Sequence, residues 1–169
     1  MVLVKEYFSS PATLLAPELL GKIICVRTPQ NAIIRARITE TECYYGEEDT
    51  ACHASRGRTP RTEVLYSAGG VAYVYLCYGM YDLFNIVTGP EGHPEAVLIR
   101  GVEGAPGPGR ATRYLGITRD HNRLPLDPEH GLWLEDDGAR PEYEALTRVG
   151  IGYASPEDQA RLWRFRVKS

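Results

Sequence analysis

No stretch of this sequence approaches the ~18 consecutive apolar residues of a membrane span. The opening residues, Met1-Val2-Leu3-Val4-Lys5-Glu6, lack a basic region followed by an apolar signal core. A cytoplasmic protein with no membrane partner is expected. Cys25, Cys43, Cys52 and Cys77 form no C-x-x-C pair, and no paired histidines accompany them, so zinc-ligand spacing is missing and the thiols read as reduced. Internal repeats and low-complexity runs are absent, and the Gly/Pro clusters are too short to be interdomain linkers. An excess of positive charge is also lacking. The formal net charge is -3 and the isoelectric point about 5.8, which argues against a protein that coats nucleic acid nonspecifically.

The remaining composition is that of an ordinary soluble domain, with 169 residues, 43% hydrophobic and 24% charged. A chain this long buries roughly 70% of its unfolded surface. One domain spanning residues 1–169, with no structural metal or disulfide, is the expectation. Charge is unevenly spread. Acids crowd into Glu40, Glu42, Glu47, Glu48 and Asp49. Three stretches carry arginine and no acid: Ala51 to Thr62, Gly104 to Arg119, and Gln159 to Ser169. Each could contact phosphate, although blocks this short also occur as plain solvated surface.

A first helix is predicted to open at Ser9-Ser10-Pro11, where a hydroxyl can cap and proline suits the first turn. Lys22 to Arg27 and Ala32 to Tyr45 read as strands of a hairpin around Thr28 to Asn31. Period-two alternation in the second strand puts Arg35, Arg37, Thr39 and Thr41 on one face. The other face takes Ile34, Ala36, Ile38, Glu40, Glu42 and Tyr44, so two carboxylates extend an apolar face. A carboxylate taken from water costs several kcal/mol unless it is hydrogen-bonded or changes its pKa. Either the strand runs past the sheet edge and both glutamates are wet, or one of them is a general base at a cleft mouth.

Gly69 to Tyr78 and Tyr81 to Thr88 form a second predicted hairpin around Gly79-Met80. Tyr78, Met80 and Tyr81 cluster at its tip. These aromatics either fold back onto the core, as strand-favouring residues do, or stack on or wedge between bases. Further strands are predicted at Ala96 to Val102, Leu132 to Glu135, Thr147 to Tyr153 and Leu162 to Val167. Short helices are expected after Gly107-Pro108-Gly109, over Arg110 to Leu115, and from Ser155-Pro156. A helix start beside Arg110 could hold a phosphate. The fold class is α+β: a curved, mostly antiparallel β-sheet with flanking helices and a protruding β-hairpin.

Thr39-Glu40-Thr41-Glu42-Cys43-Tyr44, then Ala51-Cys52-His53, then Tyr73 to Tyr81 with Asn85, closely resemble the 3-methyladenine (alkyladenine) DNA glycosylase family. The likeness continues, in order, through Arg100, Gly107-Pro108-Gly109, Leu115-Gly116-Ile117, Arg148-Val149-Gly150 and Trp163-Arg164-Phe165. It covers most of the chain. The resemblance implies a base-excision-repair enzyme that flips alkylated purines, with deaminated purines as a second class, out of duplex DNA and hydrolyses the glycosidic bond. It makes Glu42 the general base that activates water, with Arg100 and the backbone carbonyl of Val149 around that water. Tyr44, His53 and Tyr75 would sandwich the base, and Asn85 would stand at the pocket wall. Tyr78 would fill the vacated stack, while Thr59, Arg61, Met80, Tyr81 and Arg110 would contact the DNA. The implied partner is damaged duplex DNA, the protein a monomer, nucleoid-associated if bacterial, and no cofactor or metal is expected.

Physical chemistry supports that reading separately. Alkylated purines are often cationic, and an electron-rich cage of Tyr44 and Tyr75 would favour them. A strand-cleaving lyase needs an amine, and Lys5, Lys22 and Lys168 all lie outside the matching segments. One difference is local: only Gly101 to Pro106 separate the strand bearing Arg100 from Gly107, where the family generally carries a longer segment. Arg110 and Ala111 stand where lysine and leucine are usual. Two other readings compete. A carbohydrate glycosidase would use Glu40 and Glu42 as its carboxylate pair, and a noncatalytic binder of damaged DNA would use the aromatic cage without turnover.

Overall fold

The computed structural model describes residues 1–169 as an antiparallel sheet with helices packed on it. The chain enters through a 3-10 turn at Lys5–Ser9 and helix α1 (Ala12–Glu18). Then come β1 (Ile23–Arg27), β2 (Ile33–Tyr45), β3 (Ala72–Cys77), β4 (Tyr81–Val87), β5 (Glu95–Val102) and β6 (Ala105–Pro106). Helix α2 (Pro108–Leu115) precedes β7 (Leu132–Glu135), β8 (Tyr143–Leu146), α3 (Pro156–Ala160) and β9 (Arg164–Val167). The sheet order is β3-β4-β5-β2-β1-β7, with β9 added to β2 and β8 to β9. Every pairing is antiparallel, which makes the fold α+β. No helix is long and apolar enough to cross a membrane.

Helix α1 buries Ala12, Leu15 and Ala16 against the sheet. Its expected cap is not formed. Pro11, rather than Ser10, holds the cap position, and no side chain there bonds the first turn. The buried carboxylate of Glu95 instead accepts the Ala12 amide at 2.7 Å, supplying negative charge at the positive end of the helix dipole. The expected strand over Thr147 to Tyr153 is also displaced. The strand is β8, four residues earlier, and the 147–153 segment is a loop with Gly150 at φ 74°. Its residues turn inward to meet β2 rather than pairing along β9.

The strongest departure from simple alternation lies inside β2. Ala36 and Ile38 belong to the main core, with Ile34 packed against it, and so does Cys43, an odd-numbered residue. The register with β5 slips between Ile38 and Glu40 and again between Glu40 and Thr41. The same change of face occurs on β5, where Val97, Ile99 and Val102 all join that core. This double irregularity rotates both strands by one residue, as β-bulges do. Beyond it Thr41 and Cys43 face α1, and Glu42 and Tyr44 face the opposite side. Glu42 therefore does not extend the apolar face of Ile34, Ala36 and Ile38. The bulge aims it away from that face.

That opposite side is covered by the long connection between β2 and β3, which packs Ala54, Val64, Leu65 and Tyr66 against Tyr73, Val87 and Ala96. The β3–β4 hairpin pairs over its full length, but β4 meets β5 only from Asn85 to Val87. Its distal half therefore projects beyond the sheet.

Candidate active site

A cleft of about 460 Å³ opens where β2, β5, the projecting hairpin and the 147–153 loop converge. Glu42 and Tyr44 enter it from β2, Leu98 and Arg100 from β5, and Tyr75 from β3. His53 and Arg61 come from the β2–β3 connection, and Val149 from the loop. The period of two that puts Tyr44 beside Glu42 also brings the Tyr44 hydroxyl to Glu42 Oε1, to which it donates at 2.7 Å. The other carboxylate oxygen accepts the Val149 amide at 2.8 Å. Arg100 Nη1 stands 3.8 Å from that same oxygen.

Glu42 is 0% exposed. Burial raises its pKa above the ordinary 4.5, while Arg100, the Val149 amide and Tyr44 pull it down. A carboxylate with two donors and a nearby guanidinium, bordering a cleft, is suited to accept a proton from a molecule that enters. Val149 contacts Glu42 through its N–H.

The cleft walls are aromatic. The His53 and Tyr75 rings meet edge to face at 4.6 Å between centroids, and His53 Nδ1 lies 2.8 Å from the Tyr73 hydroxyl. Burial, with help from Arg61 and Arg56, lowers the His53 pKa to about 4. The ring is therefore neutral at physiological pH. Its NMR titration is expected with a midpoint near 4; a midpoint near the ordinary 6.5 would mean the ring is solvated. Arg61 lies 5.2 Å over the Tyr75 ring.

At the mouth, Tyr78 and Met80 are 85% and 69% exposed. Tyr78 and Gly79 both take positive φ, 53° and 66°, and the Met80 amide closes the turn on the Cys77 carbonyl. This is the primed turn geometry that suits the twist of a hairpin. Tyrosine there costs on the order of 1–2 kcal/mol relative to glycine, so a bulky ring is held outward at a strained position. Tyr81 is braced from below: a Cβ at Gly109 would stand 2.6 Å from its ring, so only glycine lets the start of α2 approach so closely.

Of the residues singled out from sequence, Glu42, Arg100, Val149, Tyr44, His53, Tyr75, Arg61 and Tyr78 all border the cleft. Asn85 does not. It is buried behind the wall and donates to the Tyr73 carbonyl at 3.2 Å. Thr59 lies outside the lining, bonded to Thr62, and Met80, Tyr81 and Arg110 are exposed and also outside it. Glu40 is absent from the lining and is held by Arg164 at 3.0 Å, so the two-carboxylate arrangement of a sugar hydrolase is not formed. The segment Gly101 to Pro106 is a tight hairpin of β5 and β6 turning at Glu103 and Gly104.

Sequence reasoning gave no role to Arg148, Asp49 or Tyr153. Arg148 is fully buried, makes a bidentate pair with Asp49 at 2.7 and 3.0 Å, and lies 5.0 Å from the Tyr44 ring. The concentration of acids at Glu47 to Asp49 was the only sequence signal for its partner. Tyr153 borders the cleft and donates to the Ala51 carbonyl at 2.7 Å.

The cleft thus has aromatic walls, one buried carboxylate and an exposed tyrosine at its mouth. The family model described as methylpurine-DNA glycosylase (MPG) matches residues 6–169, and the chain belongs to that family. Among its relatives is a protein of Psychrobacter cryohalolentis named "Putative 3-methyladenine DNA glycosylase", 40% identical over 190 residues, covering 95% of this chain and 88% of the relative. Proteins of the same name from Sodalis glossinidius and Bdellovibrio bacteriovorus are 40% and 41% identical. Those alignments cover 98% of this chain in each case, and 96% and 94% of the relatives.

Proposed function

We propose that this protein is a monofunctional DNA glycosylase that flips alkylated purines out of duplex DNA and releases them by hydrolysis. Residues 1–169 act as one glycosylase domain, working as a monomer. Deaminated purines are a second substrate class. The observation that carries the reading is Glu42: a carboxylate held in place by Val149 and Tyr44, buried, and facing an aromatic cleft beneath an exposed tyrosine. In the proposed step, Glu42 takes a proton from water as its oxygen bonds to the anomeric sugar carbon. The carbon–nitrogen bond breaks, and its electron pair leaves with the purine. A cationic purine is already a competent leaving group, so no protonation of the base is required.

Tyr44, His53 and Tyr75 would contact the faces and edge of the flipped base, and the neutral His53 adds no charge that would repel a cation. Val149 contributes its amide to Glu42. Tyr78 would occupy the space vacated in the stack. Arg61 borders the cleft, and with Thr59, Met80, Tyr81 and Arg110 it would meet the backbone and neighbouring bases. The reading as a hydrolase, without strand cleavage, is supported by the amines. No lysine borders the cleft, and the terminal amine of Met1 donates to the Asp136 carbonyl. The decisive experiment is incubation with a duplex bearing one alkylated purine, in chelator, with and without alkali. Cleavage only after alkali is expected. Binding without an abasic product would favour a noncatalytic binder.

The wedge has its own test. Tyr78→Ala is expected to weaken binding to the alkylated duplex by about tenfold or more, since stacking by one aromatic is worth roughly 1–3 kcal/mol. Binding of the free alkylated base should not change. Equal duplex affinity in variant and wild type would remove the role.

A further inference from the structure

We propose that Glu40 is a positioning residue for the Glu42-dependent reaction, acting through Arg100 and Arg164 without touching substrate; this rests on the reading of Glu42 given above. Four side chains form a line of alternating charge from the cleft to β9. Glu42 Oε2 lies 3.8 Å from Arg100 Nη1, and Arg100 Nε lies 3.4 Å from Glu40 Oε2. Glu40 Oε2 also accepts Arg164 Nη1 at 3.0 Å. Glu40, Arg100 and Arg164 are each less than one-fifth exposed and Glu42 is not exposed at all, so these charges are only weakly screened.

Arg164 reaches further. Its Nε donates to the Thr147 carbonyl at 2.7 Å, two residues before the Val149 amide that binds Glu42. Glu40 thus fixes one guanidinium that faces the reacting carboxylate and another that anchors the loop supplying its hydrogen bond. The double bulge accounts for the placement. Without it, Glu40 and Glu42 would both extend the apolar face of Ile34, Ala36 and Ile38. With it, both turn to the opposite face, where the pairing of Glu40 to Glu42 with β9 is unbroken and Arg100 stands between the two carboxylates.

Arg100 Nε is buried without a formed hydrogen bond. Arg100 is therefore held by charge alone, between two carboxylates that compete for it. The groups facing Glu42 are Tyr44 and Glu40 from β2, Arg100 from β5, Arg148 and the Val149 amide from the loop, and Arg164 opposite it on β9. Removing the charge of Glu40 takes away a negative neighbour and leaves Arg100 to Glu42 alone. Both effects favour ionised Glu42. Removing the charge of Arg164 acts in the reverse sense, because Glu40 then draws on Arg100 without a second cation.

The test is single-turnover release of an alkylated purine from duplex DNA as a function of pH, for wild type, Glu40→Gln, Arg164→Met and Glu42→Gln. The acid limb of the rate profile is expected to move down by about one pH unit in Glu40→Gln and up by a similar amount in Arg164→Met. A merely structural role would lower both melting temperatures without moving the limbs in opposite directions. Should Glu40→Gln fail to fold, Glu40→Met takes its place, with the same downward movement expected. Limbs unmoved in folded variants, with release lost in Glu42→Gln, would overturn the role of Glu40 alone. Release retained in Glu42→Gln would overturn the reading of Glu42 and this inference with it.

Discussion

Replacing Glu42 by glutamine is expected to slow base release by about 100- to 10,000-fold, the usual contribution of a general base, while raising thermal stability. The two effects have one cause. Burial holds the Glu42 pKa above the ordinary 4.5, so ionising this carboxyl is harder in the folded protein than in the unfolded chain. By linkage, its contribution to stability is fully present below pH 4.5 and is lost as pH rises through the raised folded value. Base catalysis needs the ionised form and gains over the same range. Glutamine keeps the shape and can still accept the Val149 amide, but carries no charge to desolvate. The melting temperature at neutral pH should therefore rise by a few degrees. The stability gap between variant and wild type should close on acidification. Differential scanning calorimetry across pH, paired with single-turnover kinetics, checks both halves. A variant that melts lower than wild type at neutral pH would show that the ionised carboxylate is a net contributor to the fold, and would contradict the placement of its pKa.

The parts of this molecule that follow local rules were legible in the amino-acid order. Ser155 accepts the Asp158 amide in the predicted cap of α3, and the Gly79 turn closes the hairpin where glycine between two β-rich runs places it. Pro108 stands at the first turn of α2 as its ring requires. The failures all involve contacts distant in sequence. Glu95, more than eighty residues downstream, caps α1 in place of Ser10. The 147–153 segment, apolar enough to resemble a strand, is drawn inward because Arg148 finds Asp49 across ninety-nine positions.

The same distinction runs through the site. The alternation of Glu42 and Tyr44 was readable, and with it their shared face. The reason Glu42 can be buried was not readable, because a paired bulge across β2 and β5 leaves no mark in a single strand's pattern. Resemblance brought together His53, Tyr75, Arg100 and Val149, which no spacing rule connects, and the structure has all four bordering one cleft. It also carried over Asn85, which lies behind the wall bonded to Tyr73.

Arg148→Ala is expected to be the most destabilising single substitution around the cleft. Arg148 donates to both Asp49 oxygens, to the Cys43 carbonyl at 2.9 Å and to the Asp158 carbonyl at 3.1 Å. Its guanidinium also lies 5.0 Å from both the Tyr44 and the Trp163 rings. It thus joins β2, the connection bearing Asp49, α3 and the edge of β9. Truncation leaves the Asp49 carboxylate buried with only the Tyr45 and Ala51 amides as donors. Breaking one side of a buried pair costs about 3–5 kcal/mol, which for a chain of this size is a fall of roughly 10 °C in melting temperature. Arg148→Lys should recover only part of the loss, because an ammonium cannot serve two carboxylate oxygens, two carbonyls and two rings together. The variant should also release alkylated base more slowly than its stability predicts, even well below its melting temperature. Val149 is the next residue, and its amide loses a fixed position against Glu42 when Arg148 no longer anchors the loop. A melting temperature within a degree of wild type would mean that the Asp49 pair contributes nothing net. Full activity in a destabilised variant would mean that the loop holds Val149 by other contacts, of which the Arg164 bond to Thr147 is the first to remove.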